Sequence, residues 1–266
     1  MPDVNKVLGH QELKQQNLYR SLAAECLGTL LLNFFGVMSC VKTNSLKNDL
    51  VEVSLTFGFV VFAVVQVFGH VSGAHVNPAV TAGMLVTGRT PVIRGFLYVV
   101  AQCVGAIIGT GLVKAVTPEA FADVLGNTKL TAKGLTAAQG FGVEFLLGFV
   151  LVLVVFAVCD PNRPECKYAA PLAIGLTVAL GHLATIDYTG SSMNPARSLG
   201  SAVLTGDYEH HWVYWMGPCA GAMAAGLLYT FVFAAPVPSQ TQTTYTVVST
   251  SDKEVKLHMK RLEDEP

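Results

Sequence analysis

The sequence predicts an all-α membrane protein with six transmembrane helices and two re-entrant half-helices, arranged as an inverted internal repeat. Three observations predict it. Hydrophobic residues make up 52% of the 266 positions and charged residues only 13%, whereas a soluble domain carries about 25% charged residues. The apolar residues fall into six runs, each near the ~20 residues needed to cross a bilayer. The tripeptide Asn-Pro-Ala occurs twice, as Asn77-Pro78-Ala79 and Asn194-Pro195-Ala196. A net charge of −1 gives no electrostatic footprint for a nucleic-acid partner.

In chain order, 1–17 is polar and lacks the apolar stretch of a cleavable signal peptide. The predicted spans are 18–40, 50–69, 92–113, 137–159, 169–186 and 211–235. The longest connection, 114–136, holds the breakers Pro118, Gly126 and Gly134. The turn Asp160-Pro161-Asn162-Arg163-Pro164 is short and polar. From Pro236 the chain turns Thr/Ser-rich and then charged, and reads as an unstructured or loosely helical tail. Its Ser251-Asp252-Lys253-Glu254 stretch has the acidic context of a phosphorylation site, although a plain unstructured, solvated tail is the preferred reading. The expected division is therefore an N-terminal tail over 1–17, a channel domain over 18–235 and a C-terminal tail over 236–266. Within the channel domain, one repeat covers about 18–113 and the other about 137–235.

The tripeptides explain the repeat. Position 194 minus 77 is 117, and the same offset aligns twelve residues around each motif, including a small hydroxyl residue and Gly ahead of it and Gly six residues past its Asn. Each copy reads as a helix start. Asn is a good N-cap, Pro suits the first helical position because its missing N–H costs nothing there, and Ala is small. About ten residues follow in each copy, so each half-helix is about 15 Å long, half of a hydrocarbon core of about 30 Å. Glu25 and Glu144 mark matching places in the first span of each half. An odd number of spans per repeat inverts the second copy and brings both half-helices to the midplane, where inverted repeats place their substrate sites. Eleven of the seventeen Lys and Arg residues fall on one side if both termini are cytoplasmic, and six fall on the other, which favours that orientation.

The paired Asn-Pro-Ala motifs, Ser72-Gly73-Ala74-His75 before the first and Ala196-Arg197-Ser198 after the second, resemble the aquaporins, the major intrinsic protein family. The resemblance spans about 19–235, and its overall style is similar to insect members. It implies a passive water channel that excludes protons and ions, has no cofactor or metal, and sits in the plasma membrane with both termini cytoplasmic. Each protomer of a homotetramer would hold its own pore. Phe57, His182, Arg197 and the carbonyl of Ser191 are implied to form the narrowest ring. His182 and Ser198, where glycerol-passing relatives carry a smaller residue and Asp, place the chain in the water-selective branch. Ala202 and Tyr214-Trp215 agree. By the same resemblance Glu25 and Glu144 support the re-entrant loops, His75 lines the cytoplasmic vestibule, and mercury sensitivity is in doubt because Ser191 replaces the usual Cys.

Read without the resemblance, several of these residues stay ambiguous. Glu25 and Glu144 fit buried carboxylates or the proton relays of a coupled transporter. His182 fits a satisfied core residue, and Arg197 a side chain reaching for the outer rim. His75 fits a structural role or a pH-tuned one. The six cysteines lie mostly within spans and imply no disulfide framework. No Asn-X-Ser/Thr sequon occurs. No nucleophile–base pair or metal-ligand spacing supports an enzyme. The alternative to a strict water channel is one that also passes urea, glycerol or peroxide, and a proton-coupled transporter ranks third.

Overall fold

The computed structural model describes residues 7–42, 49–123, 125–237, 245–248 and 256–259. Lys6, Lys47, Lys253, Lys260 and Arg261 of the charge count, and the Ser251–Glu254 stretch, lie outside the described residues. The chain divides into two units, Met1–Ala234 and Ala235–Pro266.

The first unit is helical. Its long helices are α1 (Gln16–Cys40), α2 (Leu50–Ser72), α4 (Val92–Val116), α5 (Ala137–Val158), α6 (Ala170–Thr189) and α8 (Val213–Leu228), the last extended by a π-helical turn at Tyr229–Phe233. Among the described residues, six helices of 20 to 25 residues are thus long and apolar enough to cross a membrane. The half-helices are α3 (Pro78–Val86) and α7 (Pro195–Thr205). Local chemistry sets several boundaries. The Asp49 side chain accepts from Val51 N at 2.9 Å to start α2. Thr136 and Gln139 close a reciprocal capping box at the start of α5. α2 and α6 run three residues beyond their expected ends, to Ser72 and Thr189, and each stops on a glycine in the left-handed region, Gly73 (φ 90°) and Gly190 (φ 78°).

The repeat is visible in the packing. α1 lies along α4 as α5 lies along α8, and α2 crosses α6. Each half-helix rests on the last long helix of the opposite repeat, α3 on α8 and α7 on α4. The α2–α6 crossing is a glycine contact. A Cβ on Gly58 would meet the Gly175 carbonyl at 2.8 Å, and one on Gly175 would meet the Gly58 carbonyl at 2.6 Å. Backbones approach this closely only where a side chain is missing. Gly105 and Gly221 repeat the device, facing the Cys26 and Phe145 carbonyls.

Polarity is distributed inside out. Glu25 and Glu144 are fully buried and Arg197 is 3% exposed, while Phe96 (67%), Leu146 (64%) and Phe231 (80%) face outward. Water on the outer face would make this arrangement costly, and hydrocarbon makes it favourable.

In the second unit, β1 (Tyr245–Val248) pairs antiparallel with β2 (Lys256–Met259), Tyr245 opposite Met259 and Val248 opposite Lys256. This corrects the expectation of an unstructured or loosely helical tail. Tyr245-Thr246-Val247-Val248 is a β-branched and aromatic run, the residue type that fits a pleated surface.

Candidate functional site: a pore between two half-helix tips

The two connections into the half-helices, 73–77 and 190–194, share one strained backbone. Ala74 and Val76 have φ of 46° and 43°, and Ser191 and Met193, 117 positions later, have 50° and 55°. Non-glycine residues adopt this region only when their surroundings enforce it. The enforcing groups are Glu25 and Glu144. Glu25 Oε1 accepts from Ser72 Oγ at 2.6 Å and His75 N at 2.9 Å, and Oε2 from Val76 N at 2.6 Å. Glu144 Oε1 accepts from Thr189 Oγ1 at 2.6 Å and Ser192 N at 2.9 Å, and Oε2 from Met193 N at 3.0 Å. The donors match one for one across the repeat. Tyr98 and Tyr214 complete the pattern, donating to the Ser72 and Thr189 carbonyls at 2.9 and 3.0 Å. The copies also differ, since Gln102 Nε2 adds a donor to Glu25 at 2.8 Å.

With their N–H groups turned toward the glutamates, the loops leave carbonyls on the other side. Among the described residues no hydrogen-bond donor reaches the carbonyls of Gly73, Ala74 and His75, or of Gly190, Ser191 and Ser192. Irregular backbone at membrane depth persists only where protein or a water-filled cavity satisfies it. A cavity of about 400 Å³ runs past Gly73, Ala74, His75 and Ser192, and past both Asn77 and Asn194.

Both asparagines cap their half-helices as expected. Asn77 Oδ1 accepts from Ala79 N at 2.8 Å, and Asn194 Oδ1 from Ala196 N at 3.0 Å and Arg197 N at 3.3 Å. Their amide nitrogens hold a feature the sequence did not show. Asn77 Nδ2 donates to the Met193 carbonyl at 2.9 Å, and Asn194 Nδ2 to the Val76 carbonyl at 2.8 Å. Each amide has two N–H groups, so one on each side chain is engaged in holding the tips together.

Phe57, His182 and Arg197 all line the cavity and meet there. The Phe57 and His182 rings stack with centroids 4.3 Å apart, and the Arg197 guanidinium carbon lies 5.0 Å from the Phe57 centroid. His182 Nδ1 lies 3.0 Å from the Val178 carbonyl. A carbonyl only accepts, so the neutral ring carries its proton on Nδ1 and leaves Nε2 as a bare acceptor. Nε2 is buried and has no partner among the described residues, and the same holds for Arg197 Nε. The ring thus offers an acceptor and a donor side by side. Ser191 is fully buried and does not line the cavity, and its Oγ is likewise without a partner among the described residues. His75 lines the cavity, with Nδ1 3.1 Å from Thr81 Oγ1.

Symmetry explains why there is one such ring. Counterparts of Phe57, His182 and Arg197 at the 117-residue offset are Ile174, Val65 and Val80. All three line the cavity, and all three are aliphatic.

The connection between α4 and α5 contributes more than its composition indicated. Arg197 Nη1 donates to the Gly126 carbonyl at 2.6 Å. Leu125 and Gly126 both have positive φ, 41° and 60°, and Leu125 is buried against Val37 and Val113. Thr128 Oγ1 donates to Ser198 Oγ at 2.8 Å, and Lys129 pairs with Asp207. Gly126 had been legible only as a breaker.

Two half-helices meeting tip to tip around a cavity, inside six membrane-length helices, define a multi-pass membrane channel. The chain belongs to the major intrinsic protein family, whose profile matches residues 12–229. It is 45% identical to Aquaporin-4 of Mus musculus over 226 residues, covering 84% of this chain and 70% of that protein. It is 43% identical to Aquaporin-1 of Rattus norvegicus over 230 residues, covering 84% and 85%. Among solved structures, the aquaglyceroporin from Plasmodium falciparum superposes with a TM-score of 0.74 at 26% identity, covering 81% of this chain and 96% of that one. The family is one of channels, not of enzymes.

Proposed function

We propose that this protein is a passive, water-selective transmembrane channel that excludes protons and ions. The observation that carries the reading is the row of carbonyls at Gly73, Ala74, His75 and Ser192, without a donor among the described residues, along a cavity that also contacts Asn77 and Asn194. Such a row needs hydrogen-bond donors, and water supplies them.

The roles follow from the donors and acceptors. Helix N-termini carry about half a positive charge, and two of them converge beside the Asn pair, opposing cations. The second N–H of each asparagine donates to a passing water, whose own hydrogens then face away from the centre in both directions. A proton relay needs one continuous orientation, so it breaks there. Phe57 and His182 narrow the outer end, Arg197 donates and repels cations, and His182 Nε2 accepts. Family resemblance alone adds the carbonyl of Ser191 to this ring, since Ser191 does not itself line the cavity. Glu25 and Glu144 hold the loops, and His75 belongs to the cytoplasmic vestibule. The chain divides into a short N-terminal tail over 1–17, the channel over 18–235 and a tail over 236–266.

We further assign a homotetramer with one pore per protomer, in the plasma membrane with both termini cytoplasmic. Family resemblance supports the assembly, and the Lys/Arg distribution supports the orientation.

A channel that also passes glycerol or urea is the competing reading, and the resemblance to an aquaglyceroporin structure fits it. The stacked Phe57–His182 pair with Arg197 beside it argues against that reading. Vesicles carrying the purified protein, challenged in turn with impermeant sugar, glycerol and urea gradients, decide between them by light scattering. Fast water efflux with solute entry at the rate of empty vesicles supports the proposal. Glycerol entry on the timescale of water efflux overturns it.

A further inference from the structure

Arg197 breaks the repeat symmetry, and beside it stand two more residues that do the same. Asn33 is fully buried on α1, within the apolar run Leu30-Leu31-Leu32-Asn33-Phe34-Phe35. Its Nδ2 donates to Thr110 Oγ1 on α4 at 3.0 Å and to the Arg197 carbonyl at 3.3 Å. Both partners fix the amide orientation, because the Arg197 carbonyl can only accept.

The other repeat serves as an internal control. A Cβ on Gly200 of α7 would meet Asn33 Nδ2 at 2.5 Å, and a Cβ on Gly83, the matching glycine of α3, would meet Val152 Cγ1 at 2.9 Å. Val152 therefore occupies the place of Asn33. The same register that pairs Tyr98 with Tyr214 pairs Thr110 with Gly226, and Val80 stands for Arg197. All three polar partners are apolar or absent on the side that has no arginine.

A valine suffices to pack this position, as Val152 demonstrates. An asparagine there is the poorer choice for packing alone, since its Oδ1 is buried with no partner among the described residues. What the amide adds is a tie from α1 and α4 to the one residue of α7 whose side chain enters the cavity. The guanidinium is held separately, by the Gly126 carbonyl.

We propose that Asn33, backed by Thr110, is a positioning residue that fixes the backbone of Arg197 and so sets how tightly the outer ring excludes small solutes. The inference rests on the water-channel reading given above.

Asn33→Val, the residue the repeat itself uses, tests it in reconstituted vesicles through the ratio of urea to water permeability. The expected result is a rise of at least about threefold, the scale of one net hydrogen bond. An Arg197→Val background supplies the readout that a merely structural role would not produce. There Asn33→Val should change the ratio no further, since the residue it positions is gone. An unchanged ratio in the wild-type background, or an equal change in both backgrounds, overturns the proposal. If Asn33→Val does not assemble, Thr110→Val removes the second anchor while keeping Asn33, and the same two outcomes decide. Wild-type vesicles without fast water flux would instead defeat the channel reading itself.

Discussion

Asn77 and Asn194 hold each other's loops: each side-chain amide donates to the carbonyl of the residue just before the other asparagine, Met193 at 2.9 Å and Val76 at 2.8 Å. The two half-helices are therefore joined directly at their tips, and one residue type does two jobs at each. The oxygen caps its own helix, while the nitrogen bridges to the other and keeps one N–H for the pore.

Substituting Asn194 by Asp separates the two jobs. The cap oxygen survives, so α7 can still start. The N–H groups do not, and a carboxylate then faces the Val76 carbonyl. The account expects water permeability to drop at least about tenfold, since removing the donor to a buried acceptor costs about 1–3 kcal/mol. Asn194→Ala, which loses both functions, should be at least as severe. Osmotic shrinkage of vesicles with matched protein content checks both.

The carboxylates behind the loops should be intolerant of a neutral look-alike. Glu144 accepts three donors, and two of them are backbone N–H groups of the strained segment. Gln offers one oxygen and turns an NH2 toward the remaining donors. A loss of about 1–3 kcal/mol of stability is expected, read as a lower melting temperature of the detergent-purified protein. Glu25→Gln should behave alike, because Glu25 holds the matching donors.

His182 and Phe57 stack beside Arg197 in the proposed constriction ring. His182→Gly removes the imidazole, opens that ring and deletes the bare Nε2 acceptor. Glycerol entry should then rise well above that of empty vesicles, while the arginine still opposes cations. Continued exclusion of glycerol would mean that the constriction lies elsewhere.

A pH response is expected just before the start of α8. Trp215 Nε1 donates to His211 Nε2 at 3.1 Å, which requires that nitrogen to be unprotonated. Partial burial holds His211 below the usual histidine range. The unfolded chain then takes up the proton first. Stability from this site is full above the unfolded value of about 6.5 and declines as pH falls below it. Melting temperatures should drop between about pH 6.5 and pH 5 in the wild type and less so in His211→Phe.

Much of this is legible in the sequence, for identifiable reasons. The half-helices announce themselves through Asn-Pro, a pairing whose capping chemistry is local, and the six spans through length and apolarity. The glutamates stood out because a charge in an apolar run needs a reason, and the repeat gave them equivalent places. The reciprocal Asn bonds were not legible, because they join residues more than a hundred positions apart through backbone carbonyls, which carry no sequence signature. Gly126 was missed for the same reason: its contribution is a carbonyl aimed by two positive φ angles. Asn33 was visible as a polar residue in an apolar run, but only the contact with Gly200 and its match at Gly83 set it against Val152. The β1–β2 pair was missed because two four-residue stretches, only the first of them β-branched, are short enough to read as a polar tail.

The account depends on a single file of water whose orientation reverses beside the asparagine pair. The most direct test compares osmotic with diffusional water permeability in the same vesicles, with a pH-sensitive dye inside. Molecules that cannot pass one another give an osmotic value several times the diffusional one, and the account predicts that excess together with proton entry no faster than in empty vesicles. Equal osmotic and diffusional permeabilities, or acidification that scales with protein content, would contradict it.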